Sequence, residues 1–138
     1  MLLNFKDGAQ FDYEFFRAEM YQYFDTLEYP TILIPVPSHK VGTTNSITTL
    51  VMGYKGRHTP LNCLVRSRNA ASFCLGGRRT PRSIMRTIRF AKPERLAHKH
   101  ILFVDDATTS GITLHTLMSL AYDYDPTSIS SIALVKFI

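Results

Sequence analysis

The sequence predicts an α/β protein: a three-layer open parallel sheet flanked by helices, carrying an irregular basic insertion. Short apolar runs alternate with stretches of helical periodicity, and Pro or Gly clusters separate them. One domain is expected over residues 1–138, because a chain of 138 residues builds one sizeable core but not two.

Along the chain, Phe11, Phe15, Phe16, Met20, Tyr23, Phe24 and Leu27 recur at steps of three and four. That spacing predicts an amphipathic helix over 11–27 with an aromatic buried face. Pro30 stops it, and Thr31–Ile34 reads as a buried strand. A helix over 43–52 and a second strand over 60–65 follow. From Arg66 to about Lys99 the pattern is irregular, with Gly76, Gly77 and Pro81 as breakers and a short helix or hairpin within 81–90. Ile101–Val104 is the next strand, and Leu114, Leu117, Met118 and Ala121 mark a helix after it. Asp125 and Pro126 make a turn before a last strand, Ser131–Val135. Strands alternating with helices favour right-handed parallel crossovers.

Composition narrows the class. Hydrophobic residues make up 45% and charged residues 20%, ordinary for a globular protein, and no apolar run is long enough for a membrane span. The opening ten residues set Lys6 and Asp7 into a short apolar stretch without a signal-peptide core, so a cytoplasmic protein is expected. Two cysteines suit a reducing compartment, and without a Cys-x-x-Cys pair they do not suggest zinc. Cys63 lies in an apolar run and is expected to be a buried thiol. The net charge of +5 is concentrated mid-chain, at Arg57, Arg66, Arg68, Arg78, Arg79, Arg82, Arg86, Arg89 and Arg95. Such a field draws in polyphosphate or nucleic acid.

The chemistry concentrates in 101–114. An apolar strand runs into Asp105 and Asp106, and the small residues Ala107, Thr108, Thr109, Ser110 and Gly111 lead to a helix bearing Thr113. In open α/β sheets ligands sit at the carboxyl ends of strands. A loop of small residues entering a helix offers backbone N–H groups to a phosphate. Carboxylates beside it would repel a bare phosphate; they suit sugar hydroxyls or the water shell of Mg²⁺. A phosphorylated ribose fits the whole segment. Helix capping is the competing reading for the acidic pair. No Walker A spacing occurs, and too little chain follows Asp106 for the receiver fold of response regulators, which carry a similar Asp pair near their start.

This run resembles the phosphoribosyl pyrophosphate (PRPP) motif of type I phosphoribosyltransferases. The resemblance implies that fold, with its Rossmann-like core, and a Mg²⁺-dependent transfer of phosphoribose from PRPP to a nucleobase or amine with release of pyrophosphate. It places Asp105 and Asp106 on the ribose hydroxyls as the catalytic acids. Ala107, Thr108, Thr109, Ser110, Gly111 and Thr113 fall on the 5′-phosphate, while Ile112 stands where a small or polar residue is usual. Pro35-Val36-Pro37-Ser38-His39-Lys40 resembles the pyrophosphate loop of the relatives of competence protein ComF and of amidophosphoribosyltransferases. Ser38, His39 and Lys40 are the implied pyrophosphate contacts. The segment 66–99 corresponds to the hood over the site, with Arg66, Arg68, Arg78, Arg79 and Arg82 as candidates. No direct protein ligand to the metal is implied; Mg²⁺ enters through PRPP and water. Self-association is expected from the fold group, and no membrane partner. The competing function is a PRPP-sensing regulator or competence-type accessory protein that binds nucleic acid.

Overall fold

The computed structural model describes residues 10–37, 46–66, 87–108 and 111–136. Its centre is a four-stranded sheet, all parallel, built from β1 (Thr31–Pro35), β2 (Thr59–Pro60), β5 (His100–Thr108) and β6 (Ser128–Lys136) in the order β2-β1-β5-β6. A separate antiparallel hairpin joins β3 (Leu64–Arg66) to β4 (Ile88–Phe90). The helices are α1 (Gln10–Thr26), α2 (Ser46–Met52) and α3 (Ile112–Ala121), with 3-10 turns at Pro93–Leu96 and Tyr122–Tyr124.

Strand alternation assigns the two faces. Ile32, Ile34, Ile101 and Phe103 share one face with Leu114, Leu117 and Ala121 of α3 and with Leu64, Ile88 and Phe90 of the hairpin. Leu33, Leu102 and Val104 share the other with Met20 and Phe24 of α1 and Ile47, Leu50 and Val51 of α2. Both faces of β1 and β5 are covered, which explains why these strands read as unbroken apolar runs rather than alternating ones. Each fully buried large side chain, such as Phe24 or Leu33, contributes about 1.5–3 kcal/mol. Pro35 costs no ladder bond: Leu33, two residues before it, accepts from Leu61 N–H at 2.8 Å, so Pro35 turns its missing donor toward an edge that β2 has already left.

Several expectations change. The expected strand over 60–65 splits in two. Thr59 and Pro60 pair with β1, Asn62 turns outward, and Leu64 leaves the sheet to pair with Phe90. Of the aromatic stripe on α1, Met20 and Phe24 are buried, but Phe15 and Tyr23 are 51% and 39% exposed. Helical spacing alone does not tell the flank of a stripe from its centre. Only the backbone of Phe11 is described, and 43–45 of the expected second helix lie outside the described residues. The irregular segment shortens from its carboxyl side, because Ile88, Phe90 and Leu96 are apolar and enter the core. Among the described residues no helix is long and apolar enough to cross a membrane.

Cys63 is fully buried where the chain leaves the sheet, and burial pushes its thiol up to about 11. A thiol reagent is therefore expected to leave Cys63 unmodified in the native C74S variant at pH 8, and to modify it as fast as a free thiol once the chain is unfolded in guanidinium. Equal rates in both states would place Cys63 at the surface.

Candidate functional site

The order β2-β1-β5-β6 reverses between β1 and β5. From β1 the chain moves through α2 to β2 on one side; from β5 it moves through α3 to β6 on the other. α2 and α3 cover opposite faces of the sheet, and in open α/β sheets the carboxyl edge at such a reversal of strand order is where ligands sit.

β5 outruns its neighbour there. The β1–β5 register ends at Pro35 opposite Val104, and Val36 N–H donates to the Val104 carbonyl at 2.9 Å. β5 then continues through Asp105–Thr108 in register with β6, with Asp105 opposite Ala133, Ala107 opposite Val135 and Thr108 opposite Lys136. The acidic pair thus belongs to the overhanging end of a strand, and the half-buried Asp105 stands one residue beyond the last β1 partner.

This corrects the expected loop. Ala107 and Thr108 remain in the ladder because β5 and β6 are both nine residues long and keep pairing. Thr109 and Ser110 lie outside the described residues, as do Ser38, His39 and Lys40 after β1. Gly111 is the N-cap of α3 with φ of 76°, a left-handed conformation that glycine adopts without a Cβ penalty. Thr113 is half-buried in the first turn, and Ile112 is 36% exposed. Gly111, not an Asp, occupies the N-cap position of α3.

Of the basic candidates, Arg66 is described, and Arg68, Arg78, Arg79 and Arg82 lie outside the described residues. Arg66 Nη1 donates to the buried Thr87 Oγ1 at 2.9 Å. It braces the stem from which 67–86 departs and returns. Sequence periodicity gave no sign of this hairpin, since three residues per strand are too few to show a period of two.

Two further polar groupings were not foreseen. Behind α1, Tyr54 Oη donates to Asp25 Oδ1 at 2.6 Å, and Tyr54 meets Phe24 edge-on with ring centroids 5.3 Å apart. Burial, with Asp25 second, pushes the Tyr54 hydroxyl up to about 12. Gly56 is required beside it, since a Cβ there would lie 2.3 Å from Tyr54 Oη. The buried His58 stacks on Tyr54, and its Nδ1 accepts the first N–H of β1, from Thr31, at 3.1 Å. Burial holds the His58 pKa below its ordinary 6.5; Arg57 acts the same way, and the Phe24 carbonyl and Asp25 oppose it. The second grouping is a cavity of about 140 Å³ at the amino edge of the sheet, lined by Tyr29, Thr31, His100, Ser128 and Ser130 among others. It lies at the end of the strands away from the carboxyl edge.

His58 carries a pH prediction. Its folded-state pKa is depressed, so its contribution to stability is complete above about 6.5 and is lost as pH falls toward the folded value. Protonation would also set an N–H against the Thr31 N–H. Thermal unfolding from pH 7.5 to 5 is expected to show a larger fall in Tm for the native chain than for His58→Asn, whose amide oxygen keeps the acceptor. Equal falls would remove His58 from the account.

Among the described residues no group of three or more His, Cys, Asp or Glu converges as a metal site. The hard oxygen of Asp105 suits the water shell of Mg²⁺, which keeps several waters rather than demanding an all-protein cage. No family model matches the chain, and no curated protein matches it.

Proposed function

We propose that the chain is a Mg²⁺-dependent phosphoribosyltransferase that binds PRPP in the crevice between the carboxyl ends of β1 and β5. One observation carries the reading: an adjacent acid pair stands on the overhanging end of β5, at the point where strand order reverses, and a left-handed Gly111 leads from there into α3. On this reading Asp105 and Asp106 accept hydrogen bonds from the ribose 2′- and 3′-hydroxyls and fix the sugar. Thr109, Ser110, Gly111 and Thr113 receive the 5′-phosphate ahead of and at the start of α3. Ala107 and Thr108 contribute backbone from the strand end. On the same reading Ser38, His39 and Lys40, which come three to five residues after the end of β1 in the sequence, contact the diphosphate.

Breaking the ribose–diphosphate bond builds positive charge on the sugar and negative charge on the leaving group. Orientation and charge neutralisation therefore carry most of the catalysis. When bound, Mg²⁺ would neutralise the diphosphate. The type I fold, a nucleobase or amine acceptor, a hood formed by the basic segment and a cytoplasmic setting belong to the same proposal.

The test is pyrophosphate release from PRPP and Mg²⁺, screened over purine and pyrimidine bases and ammonia, beside calorimetry of PRPP binding. Turnover with one acceptor class is the expected result. Saturable PRPP binding without release, together with salt-sensitive nucleic-acid binding, would favour the PRPP-sensing regulator.

A further inference from the structure

We propose that the cavity at the amino edge of the sheet binds a neutral sugar ring. The reading is independent of the carboxyl edge and its acids. Thr31, His100 and Ser128 are the first residues of β1, β5 and β6, and they stand side by side in register. Strand alternation puts them on the face of Leu33, Leu102 and Ile132, with Ser130 following Ser128 on that face. Toward its carboxyl end this face packs into the cluster of Met20 and Phe24; its first layer is polar on all three strands. That polar layer borders a cavity of about 140 Å³. The wall across from it is fixed in advance. Arg57 Nη2 donates to the Glu28 carbonyl, His58 Nδ1 accepts the Thr31 N–H at 3.1 Å, and Thr31 Oγ1 donates to the Tyr29 carbonyl at 2.7 Å. The Tyr29 ring lies flat on the His100 ring, with centroids 4.9 Å apart and planes 11° from parallel, yet Tyr29 stays 53% exposed. A site built beforehand loses little binding energy to ordering.

Size, charge and hydrogen-bonding capacity select the ligand. A cavity of about 150 Å³ holds benzene, so this one admits a single five- or six-membered ring. The chain carries a net charge of +5, but among the described residues no Lys or Arg lines the cavity. A sugar phosphate or other anion therefore meets no counter-charge there. An organic cation would meet one acid, Glu28, on an exposed residue. The remaining groups are dual in character. Ser128 Oγ and His100 Nδ1 lie 2.6 Å apart, and Ser130 Oγ donates to the Ile101 carbonyl at a long 3.3 Å. Each hydroxyl still has lone pairs to offer, and among the described residues His100 Nε2 has no partner. Sugar hydroxyls also donate and accept, so they pair with such groups in either sense. The apolar C–H face of a sugar suits an aromatic ring such as Tyr29.

Titration of the isotope-labelled full chain with D-ribose and D-glucose, each to about 50 mM, tests this through NMR amide shifts. The expected result is saturable shifts at Tyr29, Thr31, His100 and Ser128 with at least one of the two sugars. A Kd of roughly 1–10 mM is expected, the reach of a ligand of about ten heavy atoms. Ribose 5-phosphate and methylammonium are expected to bind at these residues at least about tenfold more weakly, because neither charge is paired there. Tyr29→Ala and Ser128→Ala should each raise the Kd about fivefold, and Tyr29→Phe should leave it within about twofold. Both positions are exposed, so the variant spectra should remain those of the folded chain. Shifts that stay linear to the highest concentration, tighter binding of either charged probe, or a Kd that neither alanine substitution moves would overturn the proposal.

Discussion

Replacing Asp105 and Asp106 together by Asn is expected to lower PRPP affinity at least 100-fold while leaving the fold intact. On the proposed function each carboxylate is an acceptor-only group set against a vicinal hydroxyl pair. An amide of the same shape offers one weaker acceptor and presents a misplaced donor. Hydrogen bonds to charged groups contribute about 1.5–3 kcal/mol each, so weakening both costs roughly two powers of ten or more. The stretch Asp105–Thr108 is held by β6 through backbone pairing, which the substitution does not touch, so Tm should move little. Calorimetry with Mg²⁺ present measures the affinity. Unchanged PRPP binding in the double variant would take the ribose away from these residues.

Phe103→Ala is expected to destabilise the chain by about 3–5 kcal/mol, the largest loss at any single position considered. Phe103 is fully buried, two residues before Asp105 on the face shared with α3, and its ring lies 6.3 Å from that of Phe90 on the hairpin. Truncation leaves a cavity where the sheet, α3 and the hairpin meet, too closely packed to refill it. Against a total stability of about 5–15 kcal/mol this removes a large share, visible as a lower guanidinium midpoint. Tyr122→Ala is the control: at 66% exposure it should shift stability by no more than about 0.5 kcal/mol. Comparable effects at the two positions would contradict the core assignment.

The parallel sheet was legible because its strands are buried on both faces. Thr31–Ile34 and Ile101–Val104 are short, largely apolar runs bounded by Pro or charge, with the length and composition of a buried strand. Their order was not legible, since nothing local says that β5 inserts beside β1 rather than beyond β2. That placement brings the ends of two distant strands together. Strand ends were misread for a related reason: Asp, Ala and Thr have modest strand propensity, and the ladder continues through Ala107 and Thr108 because β6 supplies partners. Asp105 and Asp106 of the motif lie at the carboxyl edge of the sheet, the edge that their place after an apolar run had implied. The Tyr54–Asp25–His58 grouping escaped notice because its members are spread over 25–58 and no spacing rule links them.

Crystals soaked with ribose 5-phosphate and Mg²⁺ test the central claim most directly. The account predicts electron density in the crevice between the ends of β1 and β5, with the sugar hydroxyls within hydrogen-bond reach of Asp105 and Asp106 and the phosphate over Gly111. Density in the amino-edge cavity beside Tyr29 and His100 instead, with the crevice filled by protein side chains, would contradict it.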